Sequence, residues 1–182
     1  MSTGTEKMQS TEVLYRGRIL TLRKDVVQVS NGKTAVREVV EHNGGVTVAA
    51  LTVQNELLMV RQLRYPYNEV LLELPAGKRE GNEDPLTCGV RELREETGVI
   101  GRDYRSLGCL YPTPGYSNEI IWMFLCRVEQ IGNTAFDEDE MIEVARVPLE
   151  QAVQMVMNNK IPDAKTQIAV LKTAELVRNG AY

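Results

Sequence analysis

A chain of 182 residues is long for one average domain and short for two, so one main domain with an appended piece is expected. Its composition, 43% hydrophobic and 25% charged with a net charge of −4, is ordinarily globular and leaves no basic footprint for nucleic acid. The polar start MSTGTEKMQS, and the lack of any apolar run near the roughly 18 residues of a bilayer span, point to a cytoplasmic protein without signal segment or membrane helix. Cys88, Cys109 and Cys126 are odd in number and lack CxxC spacing, which argues against a disulfide framework and a zinc site. They are expected to be buried as small apolar residues.

After the polar tail, ILTLRKDVVQV (19 to 29) and TAVREVVEH (34 to 42) flank Ser30-Asn31-Gly32-Lys33, and Asn-Gly between β-prone runs predicts a hairpin. GVTVAALTV (45 to 53) and ELLMVRQLR (56 to 64), joined at Gln54-Asn55, and the short VLLEL (70 to 74) read as strands, the last ended by Pro75-Ala76-Gly77. Asp84 followed by Pro85 predicts an N-cap with proline at N1, starting a helix that runs to about Thr97 and stops at Gly98. Further strands are expected at RSLGCLY (105 to 111), EIIWMFLCRV (119 to 128) and IEVARV (142 to 147). Two helices close the chain: one with Leu149, Ala152, Val153, Val156 and Met157 on a single face, the other from Asp163 to near Gly180. The fold class is therefore α/β or α+β, a sheet with packed helices preceded by a small β subdomain to about residue 44.

RELREETG, Arg91 to Gly98, carries Glu92, Glu95 and Glu96 near the end of the predicted helix, with Glu95 and Glu96 in the last turn, where the helix dipole costs each acid about 0.3 to 1 kcal/mol. Glu92 and Glu96 are also a like-charge i,i+4 pair. Arg91 and Arg94 offset part of this, but Arg91 to Glu95 runs in the less favourable orientation, so salt bridging explains the pattern poorly. A divalent cation explains it better. Glu92 and Glu96 lie one turn apart on one face with Glu95 beside them, an oxygen-only site suited to Mg²⁺ or Mn²⁺. Gly77 would let the loop backbone approach phosphates closely.

From Gly77 to Val99 the chain fits Gx5Ex7REUxEExGU, with U aliphatic, at every fixed position. This resembles the Nudix hydrolases. The resemblance implies an α/β/α sandwich with a mixed sheet over residues 45 to 182, behind an N-terminal antiparallel subdomain at 1 to 44. It adds the Ala76 carbonyl as a metal ligand beside Glu92 and Glu96, with Arg91 orienting a glutamate and Glu95 in the catalytic group. No general base lies on the helix, and the lone His42 is far away in sequence.

In FDEDEMIEV (136 to 144), an expected loop before a strand, Glu138 and Glu140 match the E-x-E pair of the ADP-ribose pyrophosphatase branch, which the chain resembles over nearly its whole length. By that resemblance Glu138 deprotonates the attacking water and Glu140 completes a metal site, although which of the two takes the proton stays open. Thr113-Pro114-Gly115 followed by Glu119 resembles the branch signature, and Arg64 in RQLRY (61 to 65) matches a phosphate-binding arginine, with Lys78 taken into the same substrate set. Relatives hold the adenosine part across a dimer interface with exchanged N-terminal sheets, which implies Arg18, Ile19, Arg37, Glu38 and His42 there and a homodimer here. Where some relatives carry an aromatic this chain has Arg18, so how adenine stacks stays open. The expected function is Mg²⁺-dependent hydrolysis of ADP-ribose to AMP and ribose 5-phosphate. Another nucleoside diphosphate sugar such as GDP-mannose, and a non-catalytic nucleotide-sugar sensor, are the alternatives.

Overall fold

A computed structural model describes residues 4 to 135 and 142 to 182. They form two compact units, one of the chain up to Gly44 together with Tyr111–Ile120, the other of Gly45–Leu110 with Ile121–Tyr182.

The first unit is a three-stranded antiparallel sheet, β1 (Lys7–Arg16), β2 (Leu20–Gln28) and β3 (Thr34–His42), in that order. The β2–β3 hairpin closes as the Asn-Gly signal predicts. Gly32 sits at φ 82, where a side chain would be strained, and Lys33 N–H donates to Asn31 Oδ1 at 3.0 Å. β1 was not anticipated, because its residues are exposed along its whole length and no inside-outside alternation marks it. Only its ladder to β2 defines it. The segment Tyr111–Ile120 runs beside β3: Val40 N–H donates to the Tyr116 carbonyl at 2.8 Å and Asn118 N–H to the Val40 carbonyl at 3.2 Å.

The second unit is built around β4 (Gly45–Leu51), all of whose residues are buried. It pairs in parallel with β9 (Ile121–Ile131) and antiparallel with β5 (Glu56–Arg64) and the three-residue β7 (Ala76–Lys78). Beyond β5 lie β10 (Ile142–Pro148) and β6 (Glu69–Glu73), and beyond β9 lies β8 (Val99–Leu110), giving seven strands. Alternation along β4 sends Val46, Val48 and Ala50 to one face, with Cys88 and Leu93 of α1 (Pro85–Thr97), and Ala49 and Leu51 to the other. That second face is covered by α2 (Leu149–Met157) and α3 (Ala164–Arg178), through Ala152, Val153, Val156, Ala169 and Val170. This is the expected α/β/α sandwich.

α1 starts and stops as its caps dictate. Asp84 Oδ1 accepts from Leu86 N–H at 2.9 Å and Thr87 N–H at 3.1 Å, and Gly98 at φ 70 donates to the Arg94 carbonyl at 2.8 Å. Pro75-Ala76-Gly77 ends β6 as expected and leads straight into β7, which exists by pairing with Gly45–Thr47. Three expectations need correction. Met157, expected on the apolar face of α2 with Leu149, Ala152, Val153 and Val156, is 66% exposed at the last position of the helix, beyond the reach of the core. β8 begins at Val99, not 105, its pattern hidden by register shifts around Gly101, Arg102 and Gly108. Cys88 and Cys126 are buried, but Cys109 is exposed.

Candidate active site

The acidic end of α1 turns inward. Glu96 is 4% exposed and its Oε2 accepts from Ala76 N–H at 3.0 Å. The Glu92 carboxylate, its side chain 16% exposed, fills the space beside the Gly77 Cα, where an added Cβ would lie 1.9 Å from its Cδ. Two carboxylates one helical turn apart are thus gathered against the same two backbone residues. Gly77 is required by this close approach of Glu92, a reason different from the phosphate contact expected from its place in the loop. β7 holds that backbone through its ladder to β4, and the Thr47 hydroxyl donates to the Pro75 carbonyl at 3.0 Å.

Arg91 organises the cluster. Its Nη1 donates to Glu92 Oε1 at 2.8 Å and to Glu95 Oε2 at 3.0 Å, and Nε and Nη2 grip Glu83 at 3.1 and 3.0 Å. The i,i+4 pair with Glu95 forms despite its unfavourable orientation, because one guanidinium serves three carboxylates. Glu83 is the fixed acid of the motif that sequence reasoning left without a role. Its hydrogen bond from Arg91 holds its carboxyl well below the usual range, at about 2. A folded-state pKa below the unfolded value, about 4.3, adds stability that is complete above that value and is lost as pH falls toward about 2. The stability difference between wild type and Glu83→Gln, followed by denaturant titration, is therefore expected to be level near neutrality and to shrink on acidification through that window. A difference independent of pH would contradict the pairing.

Among the described residues no group of three or more His, Cys, Asp or Glu is arranged to hold a metal ion. The implied set asks for fewer: two described carboxylates, Glu92 and Glu96, the Ala76 carbonyl, and Glu140, which with Glu138 lies outside the described residues. The chemistry of these donors, all oxygen and with Glu96 shielded from solvent, fits a hard divalent cation. The flanks of the undescribed stretch are anchored in this unit. Ala135 N–H donates to the Glu95 carbonyl at 2.9 Å, and Ile142 pairs with Gln62 on β5. Arg91 and Glu95 also line an open cleft of about 790 Å³ with Val90, Arg94 and Asn133–Ala135.

Arg64, at the end of β5, is not a loose cation. Its Nε and Nη2 each donate to Glu73 at 2.7 Å, and the charge of Glu96 reaches it as well, so it belongs to the same neighbourhood. Lys78 has an exposed side chain, and its carbonyl accepts from Arg91 Nη2 at 3.3 Å. Glu73 and its further partner Lys165 were missed, since 92 residues separate them.

The first unit collects its own set. His42 Nδ1 accepts from Gly44 N–H at 3.0 Å and stands 3.4 Å from Glu119 Oε1, while His42 N–H donates to Asn118 Oδ1 at 2.9 Å. The Thr113 carbonyl accepts from Tyr116 and Ser117 N–H, turning the chain at Pro114-Gly115. Arg37 is bound by Glu6 at 2.5 and 3.0 Å, an acid the sequence did not single out, and Arg18, Ile19 and Glu38 are exposed.

An α/β/α sandwich whose helix carries this carboxylate cluster against a glycine loop is the architecture of one hydrolase class. The NUDIX domain model matches residues 41–169, and the model described as nucleoside diphosphate sugar hydrolase N-terminal domain matches residues 6–40. The chain belongs to the NUDIX family. It is 36% identical over 172 residues to an ADP-ribose pyrophosphatase of Bacillus subtilis (strain 168), covering 93% of each chain. It is 39% identical over 167 residues to a methanol dehydrogenase activator of Bacillus methanolicus, covering 91% of this chain and 90% of the other. A crystal structure of an ADP compounds hydrolase superposes with a TM-score of 0.84 at 20% identity, covering 96% of this chain and 95% of that one, a likeness in fold.

Proposed function

We propose that this protein hydrolyses the pyrophosphate bond of ADP-ribose, with water entering at one phosphorus, to give AMP and ribose 5-phosphate. One observation carries the reading: Glu92 and Glu96 converge on Ala76–Gly77 inside a complete motif. The likeness to an ADP-ribose pyrophosphatase over 93% of the chain supports the substrate. A bound Mg²⁺, or Mn²⁺ in its place, supplies charge neutralisation at the diphosphate and lowers the pKa of water. Glu92, Glu96, the Ala76 carbonyl and Glu140 would hold it. Arg91 keeps Glu92 and Glu95 aligned, Glu138 takes the proton of the attacking water, and Arg64 with Lys78 binds phosphate oxygens. The nucleoside part is assigned to Arg18, Ile19, Arg37, Glu38, His42, Thr113, Pro114, Gly115 and Glu119.

We also propose a cytoplasmic homodimer that exchanges its N-terminal sheets, residues 1 to 44 forming the dimerising subdomain. The exposed Met8, Val13, Leu14 and Tyr15 of β1 support an interface there. No helix among the described residues is long and apolar enough to cross a membrane.

The test is turnover of ADP-ribose, GDP-mannose and NADH with Mg²⁺ and with excess chelator. Metal-dependent release of AMP from ADP-ribose at the highest kcat/KM is expected. Preference for GDP-mannose would move the assignment to another nucleoside diphosphate sugar, and full activity in chelator would end it. Likeness to the activator favours a second reading, in which a bound nucleotide is sensed and a partner enzyme responds; saturable binding without turnover of any substrate would select it.

A further inference from the structure

Behind Arg64 lies a buried ionic chain that the proposed chemistry does not use. Glu73, the last residue of β6, is 1% exposed, and such a carboxylate is costly unless its charge is met. Arg64 meets it twice, through Nε on Oε1 and Nη2 on Oε2, both at 2.7 Å. Lys165, in the first turn of α3 and 11% exposed, donates to the same Oε2 and to Asp163 Oδ1 at 2.9 Å. Burial pushes the Glu73 carboxyl up, and the two cations outweigh it, leaving it ionised below the usual range.

The rest of the chain is committed to α3. Asp163 is its N-cap, with Oδ2 accepting from Thr166 N–H at 2.9 Å, and the buried Thr166 hydroxyl accepts from Leu74 N–H at 2.9 Å. The first turn of α3 therefore grips residues 73 and 74, directly before the Ala76–Gly77 backbone that gathers Glu92 and Glu96.

A simple arginine–carboxylate pair would cancel the charge of Arg64 and leave little for an anion. Here one carboxylate is shared by two cations, and the acid that balances the second is drawn toward a helix N-terminus. No bond from Arg64 Nη1 is found among the described residues, and the side chain is 36% exposed. We infer that Lys165 is a positioning residue for the diphosphate of the substrate: by sharing Glu73 it holds Arg64 in place while leaving the guanidinium charge and Nη1 for a phosphate oxygen. This rests on the proposed function in requiring a diphosphate at Arg64, but not on which sugar the diphosphate carries.

The experiment uses the full chain with Mg²⁺. It measures KM and kcat on ADP-ribose, calorimetric Kd for the non-hydrolysable α,β-methylene-ADP, and Tm. Lys165→Met is expected to raise KM and Kd roughly tenfold with kcat within about threefold of wild type, a lost charge-assisted contact on this scale. Lys165→Arg, which restores the cation, should return both close to wild type. In an Arg64→Ala background Lys165→Met should change Kd less than about twofold, because its effect passes through the arginine. If the methionine variant does not fold, Lys165→Gln takes its place. Unchanged Kd, or the same penalty without Arg64, or a penalty that simply follows Tm, would overturn the inference. The same variant pattern on methylene-ADP in a protein that does not hydrolyse ADP-ribose would sink the substrate assignment and leave Lys165 in its role. A wild type that binds no diphosphate would sink both.

Discussion

Glu96→Gln is expected to lower kcat by roughly 10² to 10⁴ while the protein stays folded, which is what losing several kcal/mol of metal-based charge stabilisation amounts to. The substitution is close to isosteric. A glutamine oxygen can still accept from Ala76 N–H, now at 3.0 Å, so the loop stays in place and only the negative charge is removed. That charge is poorly placed for stability. It is 4% exposed, at the C-terminal end of α1, one turn from Glu92. Relief of the dipole and like-charge terms, about 0.5 to 1.5 kcal/mol together, offsets the lost attraction to Arg64, so the variant should melt close to wild type in chelator. It should also lose most of the rise in Tm that Mg²⁺ gives the wild type. Near-wild-type turnover would show that Glu96 holds nothing essential, and the assignment of the acidic cluster would fall.

Gly77→Ala separates stability from activity in another way. The added Cβ would lie 1.9 Å from Glu92 Cδ and 2.1 and 2.2 Å from its two oxygens, and a Cβ fixed to the β7 backbone cannot turn away. What must give is the far end of a flexible side chain. Glu92 can rotate off, losing contacts that include its 2.8 Å bond to Arg91, and the fold loses about 1 to 3 kcal/mol. Displacing a proposed metal ligand by an ångström or more should cut kcat/KM at least about a hundredfold. Gly132→Ala is the control, since among the described residues its Cβ would meet only the Gly98 carbonyl at an ordinary 3.6 Å, and near-wild-type activity is expected. Retained activity in Gly77→Ala would mean that Glu92 is dispensable where it stands.

Both variants address residues visible in the sequence, yet their reasons were visible to different degrees. A spacing of four places Glu92 and Glu96 on one face of any helix, and Asp84-Pro85 and Gly98 bound that helix at residues matched by its observed limits. Gly77 was legible as a motif glycine, but its steric reason requires knowing that Glu92 is folded against it. Arg64 was legible as a cation near the motif. Its commitment to Glu73 was not, because nothing in RQLRY announces a buried carboxylate nine residues on, still less a lysine 92 residues beyond that. Glu83 is legible as a fixed position of the motif, but its role as the partner of Arg91, eight residues on, is set only where the chain folds the two together.

The same division runs through the fold. Signals that act within a few residues were sufficient on their own: the Asn31-Gly32 turn, the caps of α1, and the apolar stripe of α2 from Leu149 to Val156. β1, β7, the early start of β8, the path of Tyr111–Ile120 beside β3 and the tie of α3 to Glu73 and Leu74 came only from the folded chain. The physical reason is a shared one. Apart from β1, a hairpin partner of β2 that is exposed throughout, each is held by hydrogen bonds or charges between residues well separated along the chain, and such partners impose no period, cap or turn on the local sequence.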